Sequence, residues 1–437
     1  MIAAGRSSHG CARLFPSSLC LVSAAPDSSR LRLLPILATQ LVGLICGIIG
    51  LRINSHLLPP AMLGVYGVFL TFAPIGAWVV HAGIAKYLVR YWAVTGDRAR
   101  MARKVGRVWF RRLPWLVGGA LIGATFLERL MPGSFGAVAG ALVVGMGSMA
   151  LLSLIHSALQ AERAHWQDFW ISGWGSLSRT LLPPLWFAAS GGLAATLWWG
   201  FGLHAATTAI IGVLIMRRYW QPGPTTTTTP AIPVVYQGSL FIMLSLATWA
   251  VIGVNRWIVA GFFGEIEAGY FTLASSMAVI AVTMISNAWV QFVRPGLFAL
   301  GDGNSVDRAK LPQHTDRIAL AYTAVALVAL FGIMQIAPWL LGWLIDPRYE
   351  SAFRWLLPSG CFAIALNTMH FFHLLLLAAK QERASARPEL ISAAVLIVGG
   401  VIAAAGGVEW FMRWLIVSPL ITWTLTRRLA RRAFTRA

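Results

Sequence analysis

Between residues 33 and 426 the chain is a succession of apolar stretches, most of them as long as one bilayer crossing, separated by polar breaks. A hydrocarbon layer about 30 Å thick takes about 20 apolar residues per helical crossing. Twelve stretches qualify: 33–53, 62–86, 113–128, 135–159, 168–190, 192–216, 238–261, 268–293, 318–344, 354–379, 386–405 and 409–426. Charged residues make up only 11% of the chain, against about a quarter in a soluble protein. The expected class is an all-α polytopic membrane protein.

The order of these stretches points to two related halves. Arg217 to Gln237 holds Pro222-Gly223-Pro224, five successive threonines and two further prolines, the composition of a polar linker. It leaves six stretches on each side. A hairpin recurs across it. Leu33 to Trp92 turns at Pro59-Pro60 into Gly64-Val65-Tyr66, and Ser239 to Val293 turns at Gly264-Glu265 into Gly269-Tyr270-Phe271. A second match joins Ala158-Leu159-Gln160-Ala161-Glu162-Arg163-Ala164 to Ala378-Ala379-Lys380-Gln381-Glu382-Arg383-Ala384. The expected layout is a tail at 1–31, a six-helix lobe at 32–216, a linker at 217–237, a second six-helix lobe at 238–426 and a basic tail at 427–437. The lobes would be parallel repeats about an axis along the membrane normal. Residues 1–31 read as a disordered tail; Leu14 to Val22 imitates a signal-peptide core, but Pro16 interrupts it.

Charge orients the chain. With the N-terminus in the cytoplasm, 28 of the 35 Lys and Arg residues fall on the inner side, and only Arg52, Arg129 and Arg348 in outer loops. That is the bias of the positive-inside rule. The net charge of +20 therefore faces anionic lipid headgroups, and no nucleic acid partner is expected. Both termini are expected in the cytoplasm of a bacterial inner membrane. Cys11, Cys20, Cys46 and Cys361 show neither disulfide nor metal spacing.

With these features in place, the chain resembles the polysaccharide-export and O-antigen flippases of the multidrug/oligosaccharidyl-lipid/polysaccharide exporter superfamily. The resemblance rests on Leu57 to Trp92 with Gly64-Val65-Tyr66 and Gly83, on Gly238 to Leu300 with Asn255-Arg256-Trp257, Gly269-Tyr270 and Arg294-Pro295, and on Tyr349 to Arg428. It implies two six-helix bundles facing each other across a V-shaped cavity. It also implies a glycan on a polyprenyl diphosphate carrier as cargo. Where many relatives carry Asp, this chain has Asn255, so no role for that carboxylate carries over.

Charge inside the bilayer marks the candidate site, because a cation at the centre of a helix costs at least about 2.5–3.5 kcal/mol unless it faces a cavity or a partner. Arg179 and Arg256 are the expected substrate cations, since guanidinium pairs well with phosphate oxygens. A structural arginine bonded to carbonyls freed by Pro183-Pro184, and a snorkelling Arg256, are the competing readings. Lys86 and Arg90, four apart on one helix face, and Arg294 in the second half would receive the anionic head at the inner mouth. No carboxylate falls in the middle of a span, which suits an anionic cargo. Ion coupling, if present, would then fall to His370 and His373, one turn apart. No catalytic triad, metal cluster or cofactor loop is read, so neither an enzyme nor a cofactor is expected. The expected partners are a lipid-linked oligosaccharide and membrane lipids, with the protein a monomer or associated with glycan-assembly proteins. A cation-coupled multidrug exporter and a membrane glycan polymerase or ligase are the rival functions.

Overall fold

The computed structural model describes residues 28–92, 97–220, 239–302, 305–379 and 386–435. Thirteen α-helices occupy nearly all of them: α1 (Ser28–Leu57), α2 (Pro60–His81), α3 (Ile84–Tyr91), α4 (Arg98–Leu130), α5 (Phe135–Ala161), α6 (His165–Ala189) and α7 (Ala194–Met216), then α8 (Ser239–Phe263), α9 (Glu265–Asp302), α10 (Ser305–Leu340), α11 (Leu356–Ala378), α12 (Ala386–Ala405) and α13 (Val408–Thr435). Short 3-10 turns stand at Arg217–Tyr219 and Pro347–Trp355. Every one of the twelve apolar stretches coincides with a helix.

The helices sort into two bundles with matching packing. In the first lobe α1 lies on α6, α2 on α4 and α5, α4 on α5, and α7 on α5 and α6. In the second, α8 lies on α12, α9 on α10 and α11, α10 on α11, and α13 on α11 and α12. This is one bundle used twice. Ten helical stretches among the described residues are both long and apolar enough to cross a membrane. The two long helices outside that set, α6 and α13, hold the places that α12 and α7 hold in the other lobe, and both of those qualify. Polar residues such as Asp168 and Arg179 in α6, and the arginines ending α13, dilute their hydropathy without changing their position. The structure is a twelve-span protein in two six-helix lobes.

Between the lobes, α2 packs on α8 and α9, and α1 on α9. Close approach is set by small residues. Gly64 stands four residues into α2 and Gly269 four residues into α9. A Cβ on Gly64 would fall 2.1 Å from the Glu265 carbonyl oxygen, and one on Gly269 would fall 1.9 Å from that of Pro60. Gly67 meets Thr272 in the same way, each seven residues into its helix. The contact is reciprocal, as a two-fold relation requires. In lipid, where apolar helices gain little from burial against one another, such backbone proximity is what holds helices together.

The lobes differ at one place. α2 stops at His81, passes Ala82 and Gly83 (φ +76°), and resumes as α3, whereas its counterpart α9 runs unbroken for 38 residues. The left-handed φ at Gly83 is open to glycine with little strain.

The glycine contact yields a direct test. Gly269→Ala inserts a methyl group into backbone and should destabilise the protein by about 1–3 kcal/mol, read as a lower melting temperature in detergent. Gly261→Ala, which meets nothing within 4 Å, should be neutral or stabilise by up to about 1 kcal/mol.

Candidate functional site

A cavity of about 690 Å³ opens between the lobes, in the half of the molecule away from the α1–α2 and α8–α9 turns. From the first lobe it is lined by Trp78, His81 and the Ala82–Gly83 break. From the second it is lined by the first half of α8, the middle of α9, and α11, α12 and α13. Its polar groups are mostly neutral: Ser245, Thr283, Asn367 and Thr426. His370 and His373 line it together, their rings 6.2 Å apart and nearly parallel. Glu389 also lines it, with an oxygen 3.6 Å from His373 Nδ1. This carboxylate stands one turn into α12, at the loop end of the span.

Toward the turns the lobes close. Trp257 of α8 inserts between Phe72 and Phe126 of the first lobe, at centroid distances of 4.2 and 4.8 Å. Trp249 and Trp257 both donate to Thr71, one to its carbonyl and one to its hydroxyl. Beyond them, the 3-10 turn of the second lobe grips the end of α1. Tyr349, fully buried, donates to the Leu58 carbonyl at 2.9 Å, and Arg348 to the His56 and Ser55 carbonyls at 3.1 and 3.4 Å. Arg52 donates to the Trp343 carbonyl in return. The last carbonyls of a helix lack intrahelical partners and carry the negative end of its dipole, so a guanidinium there is well placed. Asp346 orients Arg348, and that guanidinium holds the Asp346 carboxyl below the usual carboxylate range. The pair persists above that lowered value and is lost as pH falls through it.

Arg256 sits between these regions. Ser245, Trp249, Ile252 and Arg256 recur at helical spacing on one face of α8, and Ser245 and Ile252 line the cavity. Arg256 is half-buried, and its one hydrogen bond among the described residues is a long one, 3.5 Å to the Gly67 carbonyl across the lobe boundary. It points to the other lobe rather than snorkelling. Asn255 beside it is 2% exposed, and its Nδ2 has no partner among the described residues.

Arg179 lies elsewhere. It is exposed, on the side of α6 opposite the Trp170, Trp174, Leu177 and Leu185 stripe, within electrostatic reach of Tyr66, Cys46 and His204. It is solvent-accessible, and among the described residues it bonds no freed carbonyl of the Pro183-Pro184 turn. The structure gathers the two histidines on the cavity wall, and neither Arg179 nor Arg256 is among the described residues that line it. Lys86 and Arg90 are on α3 and Arg294 on α9, with their side chains outside the described part of the molecule. The Lys380 to Ala384 repeat match also falls largely outside it.

Three features escaped sequence reasoning. His81 is a wall of the cavity, and the Gly83 that follows it was the available signal. Glu389 stands near the end of its apolar stretch, where a charge is ordinary, yet it lines the space between lobes. Arg112, read as one more inner-side cation, is 8% exposed and donates to the Val80 and Ala82 carbonyls at 3.0 and 2.9 Å, where α2 breaks.

The fold is similar to that of solved transporters of the MOP superfamily. A multidrug resistance MATE transporter of that superfamily, in its inward-facing conformation, aligns with a TM-score of 0.64 at 12% identity, covering 90% of this chain and 96% of that one. The lipid II flippase MurJ, in an inward closed conformation, aligns with 0.65 at 10% identity, covering 93% and 89%. A MOP-superfamily transporter from Pyrococcus furiosus, described as having a binding pocket of reverse polarity, aligns with 0.59 at 12% identity, covering 96% and 98%. No protein-family profile and no curated sequence relative matches the chain.

The latch at the turn end predicts a shift in the balance between open and closed forms. Tyr349→Phe strands a buried carbonyl, a loss of about 1–3 kcal/mol, and should raise the population separated at that end by about five- to hundredfold. Electron-spin distances between labels at His56 and Glu350, both exposed, should then show a longer component that is minor in the wild type.

Proposed function

We propose that the protein is a flippase. It moves a polyprenyl-diphosphate-linked oligosaccharide across the bacterial inner membrane for surface polysaccharide biosynthesis, by alternating access. The observation that carries this reading is Arg256: a cation within a span, on the stripe of α8 that continues from the cavity wall, with one long hydrogen bond among the described residues. A guanidinium offers five donors in a fixed fork suited to phosphate oxygens, and among the described residues one long bond uses them. The diphosphate would meet Arg256 as the lobes part, while the tail stays in lipid. Arg179 would serve the head from the first lobe. Lys86, Arg90 and Arg294 would gather it at the cytoplasmic mouth, where the loop ends and both termini lie, and the latch would face the periplasm. The protein would work as a monomer beside glycan-assembly proteins, without catalysis.

Glu389 favours a second reading, a cation-coupled multidrug exporter. A carboxylate between the lobes, paired with His373, suits a cationic drug or a coupling ion better than an acid-free cavity would. In either reading any ion coupling would fall to His370 and His373.

Arg256→Ala and Arg179→Ala in the producing cell separate these readings. Charge-assisted hydrogen bonds contribute about 1.5–3 kcal/mol, so surface polysaccharide output should fall roughly ten- to hundredfold at unchanged membrane protein level. Arg256→Lys, which keeps the charge and loses the fork, should fall between. Full export with drug sensitivity appearing on gene loss would favour the exporter.

A further inference from the structure

The break between α2 and α3 is the strongest departure from the two-fold pattern. Packing does not demand it, because α9 runs straight through the same position in the second lobe. The break is also maintained. Arg112 reaches from α4, nearly buried, and satisfies two of the carbonyls that the interruption leaves without helical donors. The interruption turns Trp78, His81, Ala82, Gly83 and Ala85 into cavity wall. Within that wall His81 stands unsatisfied: neither ring nitrogen has a hydrogen-bond partner among the described residues. Buried polar groups in native proteins are nearly always paired, and one that is not calls for an explanation.

The charge around His81 limits what its partner can be. Arg112 is within electrostatic reach of it, and its guanidinium is engaged with backbone. Lys86 follows on α3, its side chain undescribed. Across the cavity stand Asn367 and Thr283, which are neutral, and Glu389, which faces His373 and His370. Among the described residues that line this cavity there is no arginine. A neutral group with many hydroxyls and a flat face has much to hold it here: an imidazole that can donate and accept, an amide and a hydroxyl opposite, and Trp78 one turn from His81 for a ring to lie against.

We propose that the α2–α3 break is the sugar-binding wall of the cavity, with His81 as its hydrogen-bonding residue. The proposal rests on the lipid-linked oligosaccharide reading above and divides the substrate between two places, hydroxyls at the break and diphosphate at Arg256. Both ring nitrogens are shielded from solvent. Binding turns the imidazole toward the ligand, where one nitrogen accepts from a hydroxyl and the other donates to one. Arg112 is then a positioning residue that holds the break open.

Two probes test this with the purified full chain in detergent: a short polyprenyl diphosphate carrying a disaccharide, and the same diphosphate without sugar. Wild type should bind the glycosylated probe more tightly. His81→Ala should weaken that probe about tenfold, leave the sugar-free probe unchanged, and keep or raise the melting temperature, since an unpaired polar group is removed. His81→Asn, which retains a donor and an acceptor, should recover part of the loss. Equal effects of His81→Ala on both probes, or none on either, overturn the sugar wall. If Arg256→Ala still weakens both probes in that case, the flippase reading survives alone. If wild type binds neither probe, both readings fall.

Discussion

The structure depends on one backbone contact, the crossing of α2 and α9 at Gly64, Gly67 and Gly269. A bilayer supplies no hydrophobic drive to press two apolar bundles together. What it permits is dispersion and dipole attraction between backbones that come close, and a single methyl group at either glycine would prevent that approach. Because the contact is reciprocal, it also fixes the relation of the lobes. From that crossing outward the Tyr349 and Arg348 latch closes one end. From it inward the lobes diverge around the cavity, so the same contact that joins the halves creates the space between them.

A joint this narrow is compatible with alternation. Among the described residues the bonds across the boundary are directional, and they include two tryptophan N–H groups on Thr71, Tyr349 on Leu58, Arg348 on the end of α1, Arg52 on Trp343 and Arg256 on Gly67. Each can be broken and replaced by a bond to water without disturbing the interior of either lobe. Cost is thus concentrated in a handful of groups at the boundary. A transport cycle needs this, since two states within a few kcal/mol can be exchanged by ligand binding.

Much of this was legible in the sequence. Span number, lobe division and the pairing of the two hairpins follow from periods and repeats that no packing detail can override, because lipid enforces helix on every apolar crossing. The recurrence of Gly64 and Gly269 was visible; that the two glycines meet each other was not, since equivalence in a repeat does not say where its axis lies. Arg256 was readable as a charge within a span. Its direction was not, because snorkelling and cavity-facing arginines look alike in one dimension. Glu389 and Arg112 show the opposite error. Both lie close to span ends, where charge is ordinary, and only three-dimensional packing reveals that one faces the cavity and the other caps a broken helix. Gly83 stood in plain view, but a glycine in a membrane helix more often marks close packing than a break.

The central claim is that the space between the lobes handles a phosphorylated, glycosylated lipid. The most direct measurement is transbilayer movement of a fluorescent polyprenyl-diphosphate disaccharide in proteoliposomes holding the purified protein, scored by accessibility to a membrane-impermeant quencher. The account predicts protein-dependent movement of this lipid and none of a neutral polyprenyl glycoside lacking the diphosphate. Equal movement of both lipids, or movement of neither while a cationic dye is transported, would contradict it.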